Sequence, residues 1–386
     1  SFVIGVAYFV QGILDSCVSL QKQINVPISI TKLLVIVLVG IIFLTPVLAG
    51  VAAAQNSGPS VDDGVYNALM YVQGNSDPDS IITSWWDFGY WFRAIADRPV
   101  TFDGGTQVGY NAYWVGKLLS TDELTAVGIN RMLNCGQNNA FESLNPYMDT
   151  YQDTINFLES LVVLPRDAAQ LELSSNGYPD ILEFTHCDAP TSLLITSGDM
   201  VSKSGVWGHF GAWNYTKAAM YQDVSGLSSY EALQVLAGYG LDQTQVINEY
   251  NAMQSGADFY IADYPGYITS FMCSGEDVVQ CTVVYQGQQA VLQYDVSTQS
   301  ITSNDVAVET IIIDGTVFNG TVDNGIGIYL DTNVMGGYMS TLHLIDSTFA
   351  NLFYLESTDC YSLLYNGNSA TIGKIMVWET DYACLE

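Results

Sequence analysis

An uncharged run of 22 residues, Leu33 to Ala54, constrains the fold of this chain more than any other feature. A helix rises about 1.5 Å per residue, so the run is long enough to cross a hydrocarbon core of roughly 30 Å. Pro46 lies within it and is compatible with a membrane helix. A second apolar run begins at residue 1 without a basic leader, which argues against a signal peptide. The sequence therefore predicts a truncated membrane helix over 1–16 and a transmembrane helix over 33–54.

The loop between these two runs, residues 17–32, predicts the orientation of the chain. It contains Lys22 and Lys32, the only cations before Arg93. Because short cytoplasmic loops are enriched in Lys and Arg, this loop is predicted to be cytoplasmic. Everything after Ala54 is then extracytoplasmic, and the whole protein is expected to be a multi-pass protein of the cell membrane.

The charge balance excludes one class of partner. The chain has 40 Asp and Glu residues but only 10 Lys and Arg residues, which gives a net charge of −30. Phosphate binding needs clustered Lys and Arg, so a nucleic-acid partner is not expected. The acidic surface suits either high salt, which screens the repulsion between carboxylates, or an acidic medium. The composition does not decide between the two.

Six cysteines lie beyond the apolar runs and predict disulfides. There is no Cys-x-x-Cys and the histidines are isolated, so the spacing typical of zinc sites is absent from the sequence. An even number of cysteines outside the membrane allows three disulfides. Proximity in sequence favours Cys273–Cys281 and Cys360–Cys384, which leaves Cys135–Cys187. The alternative is that these are buried free thiols.

The pattern of apolar residues predicts an α+β fold after the transmembrane helix. Residues 55–278 form an α-rich extracytoplasmic core, with short strands at Ile81 to Trp85 and Ser192 to Thr196. Residues 279–335 alternate apolar and polar side chains between turn signals, which predicts a β-rich insertion or satellite. Residues 336–386 return to the core.

That last segment carries two predicted elements. Met339 to Leu355 has helical spacing, and Thr371 to Trp378 is rich in strand-forming residues. The sequence therefore predicts a helix followed by a strand that rejoins the core.

The densest chemical signal is the run Ser84-Trp85-Trp86-Asp87-Phe88-Gly89. Ser84 follows the strand residues Ile81 to Thr83 and is a good helix N-cap, which places Trp85, Trp86 and Asp87 at a strand-to-helix corner. Unpaired backbone N–H groups at such a corner keep a carboxylate ionised. A carboxylate between indole rings can accept a hydrogen bond from the hydroxyl of Ser or Thr. The alternative is an aromatic core cluster in which Asp87 is only a charge at the helix start.

The corner resembles the WWDYG signature of the oligosaccharyltransferase catalytic subunits, best the archaeal ones. Flanking residues are similar too, including Ala94 to Pro99 and the loop Asp103 to Gln107. In that family the two Trp and the Asp bind the hydroxyl of the acceptor sequon, Asn-x-Ser/Thr. The resemblance implies this role for Trp85, Trp86 and Asp87. Phe88 stands where the family has Tyr: if that ring serves packing, little changes, and if its hydroxyl matters, one hydrogen bond is missing here.

A second segment, Ile195 to Lys203, resembles the Asp/Lys helix motif that completes the Ser/Thr pocket in the same family. The resemblance implies that Asp199 and Lys203 bind the acceptor, with Met200 as an apolar contact. Here Lys203 follows Asp199 by four residues, whereas the commoner form has three. The alternative is an ordinary surface ion pair between residues one helical turn apart.

The resemblance implies a glycosyltransferase that moves a lipid-linked oligosaccharide to asparagine in protein N-glycosylation. The chain is then a carboxy-terminal fragment whose partners are acceptor sequons, lipid-linked oligosaccharide and the membrane. The cofactor is Mn²⁺ or Mg²⁺ in the full-length enzyme, bound by loops outside this chain, so no catalytic or metal-binding residue is expected here. Two other functions stay open: another lipid-linked glycosyltransferase, or a membrane-anchored surface-layer or carbohydrate-binding adhesion protein.

Overall fold

The computed structural model describes residues 58–107, 110–256, 261–263, 266–285, 288–298, 300–304, 308–319 and 325–386, with 46–55 and isolated positions before them. Two compact units divide at Ser60 and Val61. In the first unit residues 46–55 are helical. The predicted segments 1–16 and 17–32 and most of 33–54 lie outside the described residues. Among the residues that are described, no helix combines the length and apolar character needed to cross a membrane.

The second unit is a mixed helical and sheet structure, as predicted. Its helices are Asp63–Asn75 (α1), Asn111–Ser120 (α2), Glu123–Gly136 (α3), Asn139–Leu144 (α4), Tyr151–Val162 (α5), Arg166–Asn176 (α6), Leu182–Thr185 (α7), Gly198–Ser202 (α8), Ser204–Gly211 (α9), Tyr215–Val224 (α10), Ser229–Gly238 (α11) and Gln243–Ser255 (α12). Shorter helical turns are Trp86–Phe88, Gly89–Trp91, Phe92–Ala96, Asn145–Tyr147, Pro179–Ile181, Leu342–Leu344, Thr348–Ala350, Asn351–Leu355 and Tyr382–Leu385.

The strands form two sheets. They are Ile81–Thr83 (β1), Ser192–Ser197 (β2), Ile268–Ser274 (β3), Val278–Tyr285 (β4), Gln288–Asp295 (β5), Ser300–Asn304 (β6), Thr310–Ile313 (β7), Thr316–Asn319 (β8), Ile326–Asp331 (β9), Gly336–Thr341 (β10), Tyr361–Ser369 (β11) and Gly373–Thr380 (β12). The first sheet has the order β1-β2-β12-β11, and the second has the order β6-β5-β4-β3-β10-β9-β7-β8.

The four-stranded sheet is covered on both faces. One face packs with α1 in an apolar cluster that includes Leu69 and Ile195. The other face belongs to the largest core cluster, which includes Leu194 and Trp378. Coverage of both faces explains why every residue of β2 is buried, including its Ser and Thr residues.

The eight-stranded sheet has its own apolar cluster, built from alternate residues of its strands. This agrees with the prediction of a β-rich region, although the strands extend beyond 279–335 at both ends, from Ile268 to Thr341. All neighbouring pairs are antiparallel except β7 and β9. Adjacent hairpins, joined by short turns, therefore build most of this sheet.

The helix predicted from Met339 is wrong in its first part, because Gly336–Thr341 is a strand. Tyr338 belongs to the largest core cluster and Met339 to the cluster of the eight-stranded sheet. Both side chains are fully buried, so the strand is covered on both faces and shows no apolar–polar alternation. Helical turns do follow, at Leu342–Leu344, Thr348–Ala350 and Asn351–Leu355.

Three disulfides are present, and the predicted pairing is confirmed: Cys135–Cys187, Cys273–Cys281 and Cys360–Cys384. Cys135–Cys187 joins α3 to the segment before β2. Cys273 and Cys281 lie directly opposite each other on β3 and β4. Cys360–Cys384 fastens the carboxy-terminal turn beside β11. The alternative of free thiols is therefore wrong.

Candidate functional site

The parallel pairing of β1 with β2 brings the two sequence motifs together. Ile81 pairs with Ser192, and Thr83 pairs with Leu194. The carboxyl ends of parallel strands lie at the same edge of a sheet, where ligands bind in many open α/β sheets. The Trp-Trp-Asp corner leaves β1 at this edge, and α8, with Asp199, leaves β2 there. Two segments far apart in sequence therefore form one surface.

Ser84 joins the two corners directly. Its Oγ donates a hydrogen bond to the backbone oxygen of Ile195 at 2.8 Å and lies 3.8 Å from the Sδ of Met200. The predicted capping role of Ser84 is wrong, since the helical turn Trp86–Phe88 has no side-chain cap. The hydroxyl instead bonds to β2 across the sheet edge, and this bond fastens the corner to the neighbouring strand.

Lys203 lies between the two acidic residues of the motifs. Its Nζ is 3.0 Å from Asp87 Oδ1 and 2.6 Å from Asp199 Oδ2. The other oxygen of Asp199 accepts a hydrogen bond from Ser197. Burial lowers the pKa of Lys203, but its hydrogen bonds and charge interactions with Asp199 and Asp87 outweigh burial and raise the pKa above its usual value. The ammonium group is therefore charged, and it holds both carboxylates in place.

The second oxygen of Asp87 is the most informative atom of the site. Asp87 Oδ2 is buried, and within the described part of the chain it has no hydrogen-bond partner. A buried carboxylate oxygen without a partner costs free energy, on the order of 1–3 kcal/mol or more. Such an atom in a native structure calls for a ligand or an ordered water. This oxygen, on a carboxylate that a lysine holds in place, can accept a hydrogen bond from one hydroxyl group.

The two tryptophans take different positions. Trp85 is only 3% exposed and belongs to the largest core cluster, where its ring meets Phe102 edge-on at 5.2 Å. Trp86 is half-buried and packs on the same cluster from outside. The core-cluster interpretation therefore holds for Trp85, while Trp86 keeps part of its surface open beside Asp87.

Gly89 explains why the motif carries glycine after Phe88. A Cβ at this position would lie 2.5 Å from the Cβ of Asp103 and 2.6 Å from the backbone oxygen of Phe102. Asp103 is buried, accepts hydrogen bonds from the amides of Gly105 and Thr106, and lies 3.4 Å from the Nε of Arg93. The loop after the motif therefore packs backbone-to-backbone against the turn that carries Asp87.

Phe88, the departure from the family pattern, supports the same lysine. The ring is half-buried against the α1 cluster, and the Nζ of Lys203 lies 5.7 Å from its centroid. A cation at this distance from an aromatic ring is attracted by about 0.5–1 kcal/mol when the site is partly exposed. The ring thus packs and holds Lys203 without a hydroxyl group.

A buried polar network behind the corner was not predicted from the sequence. Thr83 donates to Asn130 Oδ1 at 2.8 Å, and Asn130 Nδ2 donates to Ser192 Oγ at 2.7 Å. These bonds connect α3 to the last residue of β1 and the first residue of β2, so they fix the relative position of the two strands. The available signal was Asn130 itself, but α3 also carries Arg131 and Asn134, so the sequence did not single it out.

No metal site is found among the described residues, since no group of three or more His, Cys, Asp or Glu residues is close enough to hold an ion. Asp87 and Asp199 already share the ammonium group of Lys203 as their counter-charge. This arrangement does not fit a divalent cation.

Comparison with known proteins confirms the resemblance to oligosaccharyltransferase catalytic subunits. Residues 78–173, which contain the Trp-Trp-Asp corner, match the model of the STT3/PglB/AglB core domain. A dolichyl-phosphooligosaccharide-protein glycotransferase of Methanococcus voltae is 31% identical over 214 residues, 52% of this chain and 23% of that protein. The protein of the same name from Methanocaldococcus jannaschii is 32% identical over 170 residues, 41% of this chain and 18% of that protein.

A solved structure described as the C-terminal domain of C. jejuni PglB aligns with a TM-score of 0.41 and 14% identity, covering 82% of this chain and 98% of that one. The chain spans less than a quarter of the length of the two archaeal relatives.

Proposed function

We propose that this chain is the acceptor-recognition part of an oligosaccharyltransferase, which moves a lipid-linked oligosaccharide to the asparagine of Asn-x-Ser/Thr sequons. The observation that carries the proposal is the buried, unpartnered Oδ2 of Asp87. The hydroxyl of the sequon's Ser or Thr donates to this atom. Lys203 holds Asp87 in place through its ion pair with Oδ1, and Asp199 holds Lys203 from the other side.

In this function the chain contributes positioning. A peptide held by its hydroxyl residue presents an asparagine two residues away at a fixed distance, so a bimolecular encounter becomes effectively unimolecular. The full-length enzyme is a multi-pass protein of the cell membrane with this domain outside the cytoplasm. Its Mn²⁺ or Mg²⁺ is bound by residues outside this chain, and no step is assigned to the metal here.

The test is a double-mutant cycle between enzyme and peptide. Transfer by the membrane enzyme that carries this chain is measured on matched peptides that have either Thr or its isostere Val at the hydroxyl position of the sequon. Wild type should prefer Thr strongly, and Asp87→Asn should lower transfer to the Thr peptide by roughly 10- to 150-fold, because a hydrogen bond to a charged acceptor contributes about 1.5–3 kcal/mol. The preference for Thr over Val should shrink in parallel.

The matched control is Asp79→Asn, which changes an exposed carboxylate just before β1. It should leave transfer and the Thr-to-Val ratio unchanged. If Asp87→Asn melts at the wild-type temperature and keeps the wild-type ratio, the assignment of Asp87 is wrong.

A further inference from the structure

An aromatic surface continues from the candidate pocket along α9. Phe210 lies 6.2 Å from Trp85 between ring centroids, and Trp213 stacks on Phe210 at 6.1 Å with the ring planes 12° apart. Phe210 and Trp213 are half-buried, and the ring of His209 meets both edge-on. We call Phe210 and Trp213 the aromatic shelf.

The shelf has a fixed position relative to Lys203. Lys203 directly precedes α9, and Phe210 follows it by seven residues. At about 1.5 Å per residue, seven residues place Phe210 roughly 10 Å from Lys203 along the axis of α9. Trp207, one turn along, is fully buried and anchors the helix through a 2.8 Å hydrogen bond to the Met200 oxygen. The spacing between pocket and shelf is therefore held by the core.

We infer that the aromatic shelf binds the acceptor polypeptide just after its hydroxyl residue, and so sets a preference for apolar or aromatic side chains there. The inference rests on the proposed function. An extended chain advances about 3.3 Å per residue, so about 10 Å corresponds to the second or third residue beyond the hydroxyl residue. The residues before the hydroxyl residue lead to the asparagine, which must reach a transfer centre outside this site. The segment after it is left to lie along α9.

The experiment uses the membrane enzyme that carries this chain and peptides that differ only at those two positions, with Gly, Leu or Phe. Wild type should prefer Phe over Gly about three- to tenfold in kcat/KM, the range for one added aromatic contact. Trp213→Leu keeps an apolar side chain against the core and should reduce this preference to within twofold. Trp91→Leu, at an exposed tryptophan outside the shelf, is the matched control.

A second measurement does not depend on the variants folding. Peptides with benzoylphenylalanine at either position, irradiated with the wild-type enzyme, should give cross-links to the segment that contains Phe210 and Trp213. The inference is overturned if wild type shows no Phe preference, if Trp213→Leu keeps it, or if cross-links map elsewhere. It is also overturned if Trp213→Leu changes how transfer depends on the glycan donor but leaves the preference among the peptides unchanged. Failure of the proposed function is distinct: Asp87→Asn would then keep the Thr-to-Val ratio.

Discussion

Gly89→Ala is the substitution with the clearest steric consequence. The new Cβ would lie 2.5 Å from the Cβ of Asp103 and 2.6 Å from the backbone oxygen of Phe102. Ordinary contacts between such atoms are about 3.5–4 Å, so the loop or the turn must move by roughly 1 Å. Overpacking of this kind costs about 1–3 kcal/mol. At about 2–4 °C per kcal/mol for a domain of this size class, Tm should fall by roughly 2–12 °C.

The control is Gly74→Ala in α1, where a Cβ meets no atom within 4 Å. There the helix should gain stability, by up to about 1 kcal/mol, because alanine has the higher helix propensity. Thermal melts of the two variants should therefore move in opposite directions from wild type. Gly89→Ala should also weaken acceptor binding, because Asp87 lies on the displaced turn. The steric argument fails if Gly89→Ala melts within 1 °C of wild type, or if Gly74→Ala is the less stable variant.

Burial, reinforced by Arg131, lowers the pKa of His186 to about 4. Between pH 6.5 and 4 the unfolded state therefore binds more protons than the folded state, and the free energy of unfolding decreases by about 2–3 kcal/mol as the pH is lowered. Urea melts of His186→Gln should lose this dependence; an unchanged slope contradicts it. Backbone amides that donate to Asp62 lower its pKa to about 2, so its contribution is complete above pH 4 and is lost as pH falls toward 2, a loss absent in Asp62→Asn melts. Replacing Cys135 and Cys187 by Ser opens a bridge with a sequence separation of 52 and should cost about 4 kcal/mol in the same melts. A loss below 1 kcal/mol would contradict the last estimate.

Local sequence patterns predicted the helices and strands whose apolar residues recur at the usual helical or strand spacing. α1, α3 and α5 each have an N-cap whose side chain bonds to the helix, and the hairpins after β3 show plain alternation. Strand β10 was not predicted because Tyr338 and Met339 face two different cores, so its buried residues do not alternate with exposed ones. The pairing of β1 with β2 was likewise beyond sequence patterns, since each strand is compatible with many neighbours.

For the site, the sequence predicted candidate residues but not how they are arranged. Asp87, Asp199 and Lys203 were predicted, and the structure brings them into one cluster. That a single lysine bridges both carboxylates depends on the pairing of two strands, which no local motif encodes. The sequence left open whether Trp85 shapes the acceptor slot or belongs to an aromatic core cluster, and at 3% exposure it is part of the core. Its apolar character is compatible with either place, so only packing decides.

The hydrogen bond between Ser84 and Ile195 joins residues that are 111 positions apart in sequence, and this separation affects when the site forms during folding. Closing so long a loop is entropically costly and slow, so contacts of this kind form late in folding. β2 also lies between β1 and β12, so its central place in the sheet is complete only when residues 373–380 have been made. A nascent or partly folded chain therefore carries the Trp-Trp-Asp corner without its lysine. The cluster of Asp87, Lys203 and Asp199 is therefore complete only in the finished domain.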